Sequence, residues 1–228
     1  PRRKQTSSLD CLLLVGHADP VPAAVRITQA GRITQEERSR AMRERLLDAT
    51  IECLISHGWS GTSTTLVSQR AGVSRGAQLH HFPTKNALVL ASVVHLSERR
   101  AAELEQAAAN LPRGKRRTRA LLEMFAEHYT GDVFTAALEL WVAARTDPEL
   151  LGPVAELEAQ IGRGAHRIAI KALGIDDLSN GSRELVQATL DLIRGLGLAN
   201  QLTDDGARRK KVLDAWASTL DAQLGRVE

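Results

Sequence analysis

Apolar side chains recur along this chain at three- and four-residue intervals, the spacing of helices rather than of strands. A first helix is predicted from Thr34, which caps it while Glu37 reaches back in a capping box. Met42, Leu46, Ala49 and Cys53 form its stripe, Leu47, Ile51, Leu54 and Ile55 widen it, and Gly58 ends it. Trp59 follows the turn and is expected to pack this helix onto the next two. A short helix capped by Thr64 or Thr65 places Leu66, Val67 and Ala71 inward and stops at Gly72, the residue that turns left-handed at no steric cost. Val73 plugs the corner, Ser74 caps a second short helix from Arg75 to about His81, and Pro83 stops it. Thr84 then caps a long helix reaching about Ala109, and Asn110 to Arg117 reads as a hinge.

Beyond the hinge the pattern stays helical. Helices are predicted over about Arg116 to Tyr129 and Asp132 to Arg145. Asp147-Pro148 opens another element, as cap and first helical residue, and Gly152-Pro153 is expected to break or kink it before a Val154–Leu173 helix. Asp176 to Gly181 is a predicted loop, followed by helices over Ser182 to about Gln201 and Asp204 to Leu224. The fold class is all-α: an N-terminal three-helix part at 34–83 and a larger helical region at 84–228. Residues 1–33, with Gly16, Pro20, Pro22 and Gly31, read as a flexible extension.

Charge changes the picture around the two short helices. From Cys53 to Ser97 there is no Asp or Glu, while Arg70, Arg75 and Lys85 are basic. Helix, glycine turn, helix is the layout of a helix-turn-helix, whose second helix enters the DNA major groove. Ser74 and Arg75 sit at the start of that helix, where side chains meet DNA. Gln78 is one turn on from Arg75, and arginine with guanine and glutamine with adenine are the natural bidentate pairs, so this pair is expected to read bases. Gly76 permits close approach, Ala77 fits the groove, and His80, Thr64, Thr65 and Lys85 are expected to meet phosphates. His80 and His81 are adjacent on a helix and point apart, with no Cys or acidic partner near, so they predict no metal site.

Gly58, Thr64-Thr65, Ala71-Gly72-Val73-Ser74, Gly76, His81-Phe82, Lys85 and Leu88 together resemble the TetR (tetracycline-repressor-like) family of transcriptional regulators, over roughly Arg38 to Ala91. One position departs: Leu79 stands where the family usually has an aromatic that reaches a phosphate. The resemblance implies a double-stranded operator DNA as partner. It also implies a homodimer formed by the last two helices, and an unidentified small-molecule effector whose binding releases DNA. The dimer stripes are Leu185, Ala188, Leu192 and Gly195-Leu196 on one helix and Val212, Ala215, Trp216, Thr219 and Leu220 on the other, although such stripes also serve to complete a single chain's core. Plausible lining of an effector pocket is Met124, Phe125, His128, Tyr129, Phe134, Leu138, Trp141, Arg145 and His166. With aromatic residues at 3%, the pocket is expected to be mainly aliphatic and its ligand apolar or acyl-like, with Arg145 or His128 neutralising any acid group. A regulator without a small-molecule effector is the alternative, and a solid core in place of the pocket would favour it.

Composition narrows the remaining classes. A formal net charge of +3 and a pI near 9.2 are only mildly basic, so DNA contact must come from a local patch. Two cysteines, Cys11 and Cys53, give no disulfide framework and suit a reducing, cytoplasmic setting. No apolar run approaches the ~20 residues of a membrane span. Nucleophile–base pairs, phosphate-binding glycine loops and metal constellations are missing from the sequence, so no enzyme and no cofactor are expected.

Overall fold

The structure, a computed structural model, describes residues 34–114, 116–176 and 181–224, and every regular element among them is a helix. The readings of 1–33, and of part of the Asp176–Gly181 loop, fall outside the described residues. The elements are α1 (Gln35–Gly61), α2 (Thr64–Ala71), α3 (Arg75–His81), α4 (Lys85–Ala109), α5 (Arg116–Thr130), α6 (Asp132–Ala144), α7 (Pro148–Leu173), α8 (Ser182–Ala199) and α9 (Gly206–Gln223).

Three cores follow one another through the molecule. Leu46, Leu47, Cys53, Val67, Val73 and Phe82 close the first, between α1, α2 and α3, with Leu88 of α4 at its edge. Burial pushes the Cys53 thiol up, as befits an inert packing residue. Leu54, Val89, Val93, Leu140, Leu150 and Leu157 form the second and join α1, α4, α6 and α7. The third gathers Leu122 and Phe125 of α5, Ile168 of α7, Ile193 of α8 and Leu220 of α9, with Leu104 and Ala108 of α4 packed against it. Helix α4 therefore touches all three cores.

Caps and breaks differ from expectation in places. Ser63, not Thr64 or Thr65, caps α2, its hydroxyl accepting from the Leu66 N–H at 3.2 Å. Ser74 and Thr84 cap α3 and α4 as predicted, and Gly72 is left-handed at φ 63°, ψ 38°. Gly58 (φ 63°, ψ −175°) kinks α1 instead of ending it, and one more turn follows to Gly61. Pro153 lies inside the unbroken α7. A proline in a helix interior costs about 3 kcal/mol, but burying Leu150, Val154 and Leu157 along this stretch contributes about 1.5–3 kcal/mol each, so packing prevails.

The stripes assigned to dimerisation divide between two roles. Leu196 and Leu220 are buried within the chain, and Leu185, Leu192, Val212 and Trp216 are half-buried against its third core. Trp216 also donates its indole N–H to the Thr189 hydroxyl at 3.0 Å, tying α9 to α8. Ala188, Gly195, Ala215 and Thr219 remain exposed.

Candidate nucleic-acid interface and effector cavity

The α2–α3 corner builds a small polar surface. Ser74, Arg75, Gly76 and His80 are exposed on α3, Ala77 is half-buried, and at the start of α2 Thr65 is exposed and Thr64 half-buried. Among the described residues neither hydrogen bond nor ion pair holds Arg75, whereas Arg70 is engaged by Glu52 at 2.5 Å. The Ser74 cap leaves the free N–H groups of α3 pointing outward beside Arg75, a setting that favours anions. Leu79 is 44% exposed and falls one turn after Arg75, so an apolar side chain shares the reading face.

Two expected DNA contacts are not presented by this geometry. Gln78 is fully buried; its amide donates to the Phe82 carbonyl at 2.6 Å and closes the C-terminus of α3. Its Oε1 is buried and without a hydrogen-bond partner. It shares the inward side of α3 with half-buried Ala77 and His81. Lys85 is turned inward as well: Nζ donates to the Trp59 carbonyl at 2.5 Å and lies 4.3 Å from the Trp59 ring centroid. Burial holds its pKa below the ordinary lysine value.

Those contacts belong to a junction. Trp59 packs into the second core rather than onto α2 and α3, and its backbone N–H donates to Glu139 of α6 at 2.6 Å. The kink at Gly58 brings this N–H to Glu139, and a Cβ at Gly58 would lie 3.0 Å from the same carboxylate. On the other side of Lys85, Asn86 donates to Asp147, the cap of α7, at 2.9 Å. The first turn of α4 is thus clasped to α1 and to the cap of α7, and α1 in turn to α6 through Trp59 and Glu139.

Further along, α4 forms one wall of a cavity of about 210 Å³. Val94, Ser97, Ala101 and Leu104 come from α4, His128 and Tyr129 from α5, and Phe134, Ala137 and Trp141 from α6. Leu157, Glu158 and Ile161 of α7 and Arg194 of α8 complete it. Tyr129, Phe134 and Trp141 meet edge to face, with centroids 5.4 and 5.8 Å apart. The Arg194 guanidinium lies 5.6 Å from the Tyr129 ring centroid and 5.8 Å from that of Trp141. Burial works against its charge, but Tyr129, Glu158 and Asp191 outweigh burial and hold its pKa above the usual value. Trp141 donates its indole N–H to Glu158 at 2.6 Å. Burial nevertheless pushes the Glu158 carboxyl up. Burial, helped by the charge of Arg100 and opposed by Glu103, pushes His128 down to about 4, so its imidazole is neutral at pH 7.

Four of the residues expected to line a pocket do so: His128, Tyr129, Phe134 and Trp141. Phe125 is buried in the third core and Leu138 packs against it. Met124 borders a separate cleft with Arg100 and Glu103, and Arg145 is exposed past the end of α6. His166 lies in a larger groove, about 690 Å³, lined by exposed Arg163, Glu184 and Gln187 on the surface of α7 and α8. The apolar wall is mainly aliphatic, as expected, with Tyr129, Phe134 and Trp141 on one side, and its cation is Arg194 instead of Arg145. Sequence reading missed Ser97, Glu158 and Arg194. Their signal was polar residues set into apolar stripes: Glu158 among Val154, Leu157 and Ile161, and Arg194 among Leu190, Ile193 and Gly197.

Comparison with known proteins points the same way. Residues 46–92 match the family of bacterial regulatory proteins described as the tetR family. The transcriptional regulator CymR of Pseudomonas putida is 38% identical over 119 residues, which cover 52% of this chain and 59% of that protein, less than two thirds of its length. The regulator BetI of Pseudomonas paraeruginosa is 27% identical over 81% of this chain and 93% of its own. A transcriptional regulator of Pseudomonas aeruginosa PAO1, known as a crystal structure, superposes with a TM-score of 0.61 at 27% identity, covering 84% of this chain and 93% of that one.

Proposed function

The chain belongs to the TetR family of bacterial regulatory proteins, and from that premise we propose that it is a sequence-specific, homodimeric DNA-binding repressor that a small-molecule ligand releases from its operator. Such relatives are regulators, not enzymes. The observation that carries the proposal is the course of α4. Its first turn is clasped beside the reading helix by Lys85 and Asn86, and three turns later its Ser97 and Ala101 line the cavity. A ligand that favours one position of α4 over another therefore changes the setting of the reading head, and DNA affinity falls by that difference in binding free energy.

Residues 34–83 act as the DNA-binding head and 84–228 as the regulatory and dimerising part. Arg75 reads a base, with Ser74, Gly76, Ala77, Thr64, Thr65 and His80 closing on groove and backbone. Dimerisation uses the exposed small residues Ala188 and Gly195 of α8 and Ala215 and Thr219 of α9, which let helix backbones approach closely. Two heads then meet half-sites about one helical turn apart. The cavity among α4 to α8 argues against an effector-free regulator, which needs a solid core there. No helix among the described residues is long and apolar enough to cross a membrane, in keeping with action on DNA in the cytoplasm.

Selection of bound fragments from a random DNA pool tests this reading. An enriched inverted repeat with half-sites about one turn apart is expected, bound by a particle of two chains. Recovery of fragments without shared sequence, or of a site bound by one chain, contradicts it.

A further inference from the structure

Among the described residues, the side-chain nitrogens and oxygens that are buried without a hydrogen-bond partner are few, and two of them line the α4–α8 cavity: the Ser97 hydroxyl and Arg194 Nε. A buried donor left unmatched is costly, more so on a charged group, so these two groups are where an entering acceptor would be held. Arg194 Nε–H can only donate, and Ser97 can donate too.

The remaining polar groups narrow the choice of acceptor. Tyr129, Glu158 and Asp191 all support the charge of Arg194, with Asp191 3.7 Å from Nη1 and Oε1 of Glu158 taken by the Trp141 indole, yet Nε is left without a hydrogen-bond partner. The faces of Tyr129 and Trp141 that a ligand cation would seek are already engaged by the Arg194 guanidinium. Around these groups the wall is apolar: Val94, Ala101, Leu104, Phe134, Leu157 and Ile161. A volume near 210 Å³ falls below the ~300–1,000 Å³ typical of drug-sized sites, so the occupant is small.

We propose that the effector is a small monocarboxylate with an apolar body, its carboxylate held by Arg194 Nε–H and the Ser97 hydroxyl and its body lodged against Phe134, Leu157 and Ile161. This rests on the reading of the cavity as the effector site. Arg194 ties the acid to α8 and Ser97 ties it to α4, so occupancy bridges the candidate dimerisation helix and the helix that reaches the reading head.

Calorimetric titration of the full chain tests the assignment, with benzoate and octanoate as probes and benzamide, benzylamine and octylamine as matched controls. The carboxylates are expected to bind at least about tenfold tighter than the controls, with Arg194→Met weakening them about tenfold or more and Ser97→Ala severalfold. Ser97→Ala removes one exchangeable hydroxyl and decides the matter if Arg194→Met does not fold. Carboxylate affinity unchanged in Ser97→Ala, or no preference for carboxylates over the controls, overturns the assignment. Release of the selected DNA is read alongside. Release by an amine or amide but not by an acid overturns the carboxylate and leaves ligand-controlled release standing. Acid binding without release supports the anchor and counts instead against the inducer role.

Discussion

At the scale of single residues, Arg75 and Gln78 show how one helical turn separates two fates. Both were expected to read bases, yet Arg75 is exposed and Gln78 is sealed under the C-terminus of α3. Arg75→Ala is expected to cost about 1–3 kcal/mol of discrimination between specific and random DNA in competition titrations. Equal losses on both DNAs would remove it from base readout. Gln78→Ala is expected to act on folding instead, lowering stability to denaturant by about 1–3 kcal/mol while the specific-to-random affinity ratio stays put. A variant of unchanged stability that no longer discriminates would return Gln78 to the DNA. His128 gives a pH dependence. Its folded pKa of about 4 lies below the ordinary 6.5, so the unfolded chain takes up this proton first as pH falls. The stability carried by the neutral imidazole is whole above pH 6.5 and is lost progressively toward pH 4, by about 3 kcal/mol. Urea unfolding at pH 7 and pH 4.5 is expected to show a steeper acid loss in the natural chain than in His128→Gln; equal losses would contradict the burial argument.

At the scale of elements, sequence reading served best where a local rule decides. Ser74, Thr84 and Gly72 act within three or four residues of themselves, and their caps and turn appear where the spacing predicted them. It served poorly where distant chain segments compete for a side chain. Nothing near Trp59 in sequence announces Glu139, 80 residues away, and α3 is too short for its own stripe to reveal that Gln78 faces inward. The cavity was half legible: aromatic residues on α5 and α6 marked two walls, whereas Glu158 and Arg194 needed the approach of α7 and α8. That approach depends on Gly197, where a Cβ would stand 2.3 Å from the Tyr129 carbonyl oxygen. Gly197→Ala must push α8 off α5, and with it Arg194 off the Tyr129 ring. A loss of about 1–3 kcal/mol in stability is expected, and tolerance without loss would show that α8 can shift freely.

At the scale of the whole molecule, three cores share one helix, and this is the physical basis for coupling. Leu88 belongs to the first core, Val89 and Val93 to the second, and Leu104 packs on the third. Displacing α4 at the cavity disturbs contacts at the reading head because packed cores shift between discrete arrangements rather than deform continuously. The Lys85–Trp59 and Asn86–Asp147 hydrogen bonds are where such a shift must be accommodated. The reading surface itself is narrow, since Arg70 is paired and Lys85 is turned inward. Affinity for random DNA should accordingly be weak and salt-sensitive, and specificity must come from Arg75, from the α3 N-terminus and from the doubling of both in a dimer.

The central claim is that this head recognises a sequence and does more than attract phosphate. Binding of the full chain to DNA from its own upstream region, titrated across a salt series against random competitor DNA, tests it most directly. The account predicts binding about a thousandfold or more tighter than to random DNA at physiological salt, with most of that margin kept as salt rises. Affinities that match for the two DNAs and vanish together with salt would contradict it, leaving the α2–α3 corner as a basic surface without a reading function.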